Sequence, residues 1–152
     1  MQQDQVGERE PIGVIGGSGL YEMEGFEQSE EREVDTPFGA PSDALVGGTL
    51  AGRPLWFLPR HGRGHRILPH EINHRANIWA LRSLGVRWVI CVTAVGSLKD
   101  EYAPRSIVIP DQYFDRTSRR ENHTFFGQGI AAHVSFGEPL SSPLRHVLLE
   151  AT

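Results

Sequence analysis

Apolar positions come in short bursts broken by glycine, proline and charge, the rhythm of short strands with a helix between them. Ile12 to Ile15 is apolar and ends abruptly in Gly16-Gly17-Ser18-Gly19, which predicts a strand running into a glycine turn. The acidic stretch from Glu27 to Glu33 reads as a solvated turn or sheet edge. Ala44 to Leu50 and Pro54 to Leu58 flank Ala51-Gly52-Arg53, and this predicts a hairpin. Ile72, Ala76, Trp79, Ala80 and Ser83 recur at spacings of three and four, one face of a helix stopped by Gly85. Val86 to Val92 is apolar almost throughout, which predicts a strand buried on both faces. Ile107-Val108-Ile109 predicts another short strand, halted by Pro110. Ser142 and Pro143 suit the N-cap and first position of a last helix, with Leu144, Val147, Leu148 and Ala151 as its buried face. The chain then stops at Thr152 with no capping glycine, and reads as cut within or just after that helix. Strands alternating with helices predict an α/β domain.

Length and charge narrow the picture further. A chain of 152 residues is the size of one domain, and residues 1–10 are polar enough to read as a loose tail. Fifteen basic against nineteen acidic side chains give a net charge of −4, so no global positive field draws the chain to nucleic acid or to a membrane surface. No apolar run approaches the ~18 residues of a membrane span. The start, Met1-Gln2-Gln3-Asp4-Gln5, lacks the layout of a signal peptide. One cysteine, Cys91, excludes an internal disulfide and a cysteine-based zinc site, which fits a reducing cytoplasm.

Candidate chemistry gathers where strands are predicted to end, the place where α/β sheets bind ligands. Gly16-Gly17-Ser18 offers backbone N–H groups and a hydroxyl, Arg60-His61 a guanidinium fork beside an imidazole, and Thr93-Ala94 a hydroxyl and a further N–H. Each is ordinary alone; three together point to inorganic phosphate or a phosphoester. Rival motifs fail on single residues. Leu20-Tyr21 stand where a P-loop needs Lys and Ser/Thr, Glu22 where a dinucleotide fingerprint needs glycine, and Leu20 where a nucleophile elbow needs glycine. Ser18 therefore reads as a ligand to phosphate rather than a covalent nucleophile. His70-Glu71-Ile72-Asn73-His74 matches the zinc-protease pattern, with His61 and His65 upstream as possible third ligands. That pattern needs both histidines on one face of a formed helix, and Pro69 sets His70 at or before the first turn. His70 and His74 then read as helix-start and surface residues.

The segment Ile12-Gly13-Val14-Ile15-Gly16-Gly17-Ser18-Gly19-Leu20 resembles the opening strand and phosphate turn of the purine nucleoside phosphorylases, in their methylthioadenosine phosphorylase branch. Asp35-Thr36-Pro37-Phe38-Gly39-Ala40-Pro41-Ser42-Asp43 resembles the next block of that branch. Arg60-His61-Gly62 with His65, and Asn73-His74-Arg75-Ala76-Asn77-Ile78-Trp79-Ala80-Leu81, resemble its phosphate loop and following helix. Thr93-Ala94-Val95-Gly96-Ser97-Leu98 and Asp111-Gln112-Tyr113-Phe114-Asp115-Arg116-Thr117 complete the run, so nearly everything from Ile12 onward is covered.

The resemblance implies a twisted mixed sheet flanked by helices, with residues 11–152 as the N-terminal part of a single nucleoside phosphorylase domain. It implies phosphorolysis of S-methyl-5′-thioadenosine to adenine and 5-methylthioribose 1-phosphate. Action on other (6-oxo)purine nucleosides, or an inactive phosphate-binding fragment, remain as alternatives. Ser18, Arg60, His61, Thr93 and Ala94 would bind phosphate, Ser18 standing where threonine is common in the family. His133 resembles the residue that reaches over the 5′ end of the nucleoside in a neighbouring subunit, and the expected assembly is a homotrimer. The partners implied are a small-molecule nucleoside and phosphate, in the cytoplasm, with no cofactor and no metal. The acid that neutralises the leaving base is expected beyond residue 152.

Overall fold

The computed structural model describes residues 10–17, 19–20, 23–117 and 124–152. The tail expected over residues 1–10 lies outside them except for Glu10, which pairs with Arg87 at 3.1 Å. The described residues form two compact units, one of 10–93 with 124–125 and the other of 94–117 with 126–152.

The first unit is built on five strands: β1 (Ile12–Gly16), β2 (Phe26–Arg32), β3 (Leu45–Leu50), β4 (Arg53–Pro59) and β5 (Trp88–Cys91). Their order is β2-β3-β4-β1-β5, with β2, β3 and β4 antiparallel and β1 parallel to both β4 and β5. The sheet is therefore mixed. β3 and β4 are joined by a two-residue turn in which Ala51 and Gly52 both adopt positive φ, 50° and 76°, the backbone that matches strand twist in a tight hairpin. The acidic stretch becomes β2, an exposed sheet edge; six charged or polar side chains line it after Phe26, which suits an edge that must resist pairing with another chain.

Alternation along the strands sorts apolar side chains onto two faces. Ile15, Leu45, Trp56 and Leu58 form one layer with Ala80, Leu81 and Val86; Val14, Val46, Leu55 and Phe57 form the other. The first layer is covered by helix α1 (His74–Ser83). Asn73 caps it, its side chain accepting from the Ala76 N–H at 3.1 Å. At the other end Gly85, at φ 85°, takes the left-handed position: its N–H reaches the Arg82 carbonyl and the Val86 N–H reaches that of Leu81, the paired closure of a Schellman motif.

The buried stripe of α1 differs from the predicted one. Ile72 is buried but precedes the helix, while Trp79 and Ser83 are exposed. Asn77 and Leu81 take their place beside Ala76 and Ala80. A polar residue can hold such a position because it is satisfied there: Asn77 Oδ1 accepts from the Ser42 N–H at 2.8 Å, and its Nδ2 donates to the Ser42 hydroxyl at 2.9 Å. Asn77→Ala is expected to cost about 1–3 kcal/mol by leaving buried Ser42 groups unpaired, measured as a lower denaturation midpoint.

The strand predicted over Val86 to Val92 is shorter, Trp88–Cys91, and it is half-buried to exposed rather than covered on both faces. It is the other edge of the sheet among the described residues, and only Val86 and Val89 reach the layer under α1.

The second unit contains helix α2 (Ser142–Glu150). Its N-cap is Ser141 rather than Ser142, accepting from the Leu144 N–H at 3.4 Å, and Pro143 follows within the first turn. None of its residues is fully buried, and Val147 is 52% exposed, so the predicted apolar face has no covering layer among the described residues. Ile107-Val108-Ile109 is not a strand. A strand needs a ladder partner, and this stretch pairs with none among the described residues, leaving Ile107 and Val108 exposed. The unit is tied instead by side chains reaching backbone, as where Gln112 donates to the Gly137 carbonyl at 3.1 Å and Arg145 to that of Pro110 at 3.1 Å. No helix among the described residues is long and apolar enough to cross a membrane.

Candidate functional site

Parallel pairing of β1 with both β4 and β5 brings three carboxyl ends to one rim. Two backbone bonds extend the ladder beyond the strands: the Arg60 N–H donates to the Gly16 carbonyl at 2.9 Å, and the Val92 N–H to that of Ile15 at 2.8 Å. Residues 60 and 93 are thereby fixed on either side of the Gly16-Gly17 turn.

The Arg60 guanidinium spans this rim. Its Nη2 donates to the Thr93 hydroxyl at 3.1 Å, its Nη1 to the Val92 carbonyl at 3.5 Å and its Nε to His61 Nε2 at 3.2 Å. These contacts hold the fork by donors of all three nitrogens, and a guanidinium carries five N–H groups, so the group is oriented without being exhausted. The contact to Arg60 also settles the proton on His61. Nε2 must accept, so Nδ1 carries the hydrogen and donates it to the Ile67 carbonyl at 2.8 Å. His65 stacks on the same ring, centroids 4.4 Å apart.

Of the residues expected at the site, Arg60, His61 and Thr93 are thus brought together. Ser18 lies outside the described residues. Ala94 follows Thr93 directly and opens the second unit, where it is exposed; His133 is exposed in that unit as well.

Cys91 ends β5 close to Arg60. Desolvation of its sulfur pushes the thiol above its ordinary value and outweighs the pull of the Arg60 charge in the other direction. Cys91 is nonetheless an exposed residue, so reagent can reach it. Its alkylation by iodoacetamide at neutral pH is expected to be slower than that of free cysteine, with a rate that rises at higher pH; a rate equal to free cysteine at pH 7 would contradict the shift.

The zinc-protease pattern lacks its helix. His70 sits in a turn and His74 is the first residue of α1, so the two histidines do not share one helical face. Glu71 serves the turn instead, its carboxylate accepting from the Leu68 N–H at 2.9 Å.

Motif reading gave no role to Asp43. A lone acid in a loop carries no signal of its own, yet its carboxylate receives the backbone N–H of Arg63 at 2.6 Å, in the loop that bears Arg60 and His61.

A mixed sheet with a guanidinium and a hydroxyl joined at the carboxyl ends of its parallel strands is an α/β domain whose polar rim lies where such sheets bind ligands. The chain belongs to the phosphorylase superfamily, whose family model matches residues 11–152. The S-methyl-5′-thioadenosine phosphorylase of Gloeobacter violaceus is 56% identical over 140 residues, 92% of this chain and 46% of that protein. The protein of the same name from Saccharolobus solfataricus is 53% identical over 143 residues, covering 94% and 53%. The crystal structure of a methylthioadenosine phosphorylase from an antarctic soil metagenomic library superposes with a TM-score of 0.88 at 46% identity, over 95% of this chain and 50% of that one. The methylthioadenosine phosphorylase of Schistosoma mansoni in its apo form gives 0.86 at 40% identity, over 94% and 52%. The chain spans about half the length of the curated relatives it matches. The phosphorylase family and the mixed sheet expected from the sequence are both found.

Proposed function

We propose that this chain supplies the phosphate site of a nucleoside phosphorylase acting on S-methyl-5′-thioadenosine. The observation that carries the reading is the Arg60–Thr93 hydrogen bond at the strand ends, a charged fork and a hydroxyl held together by backbone pairing of three parallel strands. Arg60 and Thr93 would hold the dianion directly, and His61, whose ring nitrogens are engaged by Arg60 and Ile67, would act on it through Arg60. Ser18 and Ala94 are the further phosphate ligands that the family resemblance implies. The identity to proteins named for this activity supports the choice of substrate.

The chemistry asks little covalent work of the protein. A phosphate oxygen attacks the anomeric carbon of the ribosyl group and forms the new C–O bond. The C–N bond to adenine breaks, its electron pair leaves with the base, and a proton supplied to the base neutralises it. The products are adenine and 5-methylthioribose 1-phosphate. The site's task is to hold a dianion against a ribosyl carbon that becomes cationic in the transition state, which is positioning and charge stabilisation. The acid that protonates adenine would lie beyond residue 152. Exposed His133 would reach the 5′ end of the nucleoside bound by a neighbour, in a cytoplasmic homotrimer that uses neither cofactor nor metal.

The test is adenine release from S-methyl-5′-thioadenosine by a chimera in which residues 1–152 replace the matching half of a relative. Release that requires phosphate is expected. A folded chimera with no phosphate-dependent release overturns the reading. In the same assay His133→Ala is expected to lower kcat/KM about tenfold for the 5′-methylthio substrate, as the loss of one substrate-contacting group does.

A further inference from the structure

The loop behind the rim concentrates positive charge. Arg60, Arg63 and Arg66 stand in one short turn that passes through positive φ at Gly62, Gly64 and His65. Three guanidiniums confined there repel one another, and residues 60–67 contain no acid. The counter-charge comes from Asp43. Its Oδ2 accepts the Arg63 backbone N–H at 2.6 Å and its Oδ1 accepts that of Ala44 at 2.9 Å. The Arg63 and Arg66 guanidiniums approach the same carboxylate at 3.7 and 3.6 Å, and its side chain is only 11% exposed. Glu31 takes a second contact from Arg63.

Asp43 is itself held from behind. Ser42 is fastened to α1 by Asn77, and a Cβ placed on Gly62 would lie 3.2 Å from the Ser42 carbonyl, so the two loops meet backbone to backbone. A continuous path therefore runs from α1 through Ser42 and Asp43 to the turn that begins at Arg60.

We propose that Asp43 is a positioning residue of the anion site. It sets the turn from which Arg60 projects onto Thr93, and it engages Arg63 and Arg66 so that Arg60 is the arginine presented at the rim. The proposal deepens the phosphate reading above and rests on it for its binding readout. A carboxylate is the group required: its two oxygens serve two different backbone N–H groups while its charge offsets two guanidiniums, whereas an amide offers one acceptor and no charge.

Phosphate affinity by calorimetry and hydrogen exchange by mass spectrometry are compared in the wild-type chain, Asp43→Ala and Asp43→Asn. In Asp43→Ala, phosphate binding is expected to weaken about ten- to a hundredfold, the scale of a misplaced binding group. Exchange should quicken over residues 60–67 while β1 and β4 keep their protection. Asp43→Asn should fall between, because one acceptor remains, and it carries the comparison if Asp43→Ala does not fold. Unchanged affinity with unchanged exchange in 60–67 overturns the proposal. Exchange that rises evenly across the whole sheet overturns it too, since that is the mark of a merely structural residue. If the wild-type chain binds no phosphate, the phosphate reading fails, and local exchange in 60–67 alone then decides for or against Asp43.

Discussion

Arg60→Ala is expected to weaken phosphate binding by about 2–4 kcal/mol, a loss between roughly thirtyfold and a thousandfold in affinity. The magnitude follows from what the guanidinium does. It is the cation hydrogen-bonded to the rim hydroxyl, and a charge-assisted bond to an ionised partner is about twice as strong as a neutral one. Removing it also releases Thr93 and Val92 from the contacts that orient the end of β5. Arg60→Lys should recover only part of the loss. An ammonium keeps the charge but cannot meet His61, Val92 and Thr93 at once as the planar fork does. Calorimetric titration with phosphate decides the matter, and an affinity that survives Arg60→Ala would move the anion elsewhere.

Phe57→Ala is expected to cost about 3–5 kcal/mol, a large share of the roughly 5–15 kcal/mol by which a domain is stable. Phe57 is 2% exposed in the middle of β4 and meets Phe26 edge to face, with ring centroids 4.8 Å apart. It is central to the apolar layer on the face of the sheet away from α1, among Val14, Val46 and Leu55. Truncation leaves a cavity in that layer between Val14 and Val46, whose backbones the ladders on both sides of β4 hold in place so that they cannot close on it. Because β4 ends at the residue before Arg60, the loss should also loosen the anion rim. Urea unfolding followed by tryptophan fluorescence measures the stability term; a midpoint within error of wild type would contradict the packing described.

Local pattern was sufficient where the cause is local. The apolar run into Gly16-Gly17, the hairpin about Ala51-Gly52 and the stop at Gly85 each depend on neighbours in sequence, and each is found. The residues of the rim were legible as types, since a guanidinium, an imidazole and a hydroxyl after predicted strands are visible without coordinates. What sequence could not supply is partnership. Among the described residues, Ile107-Val108-Ile109 has strand composition but no ladder partner, and the apolar face of α2 is nowhere fully buried. Burial of Asn77 in place of Trp79 depended on Ser42, thirty-five positions away along the chain. The joining of Arg60 to Thr93 depended on β1 lying between β4 and β5, and the part of Asp43 on two loops meeting edge to edge. Propensity and periodicity act over a few residues, so local pattern was enough to set most of the elements and the chemistry they carry. Pairing and desolvation act between segments distant in the chain, so which of those groups meet followed from the way the strands and loops pack together.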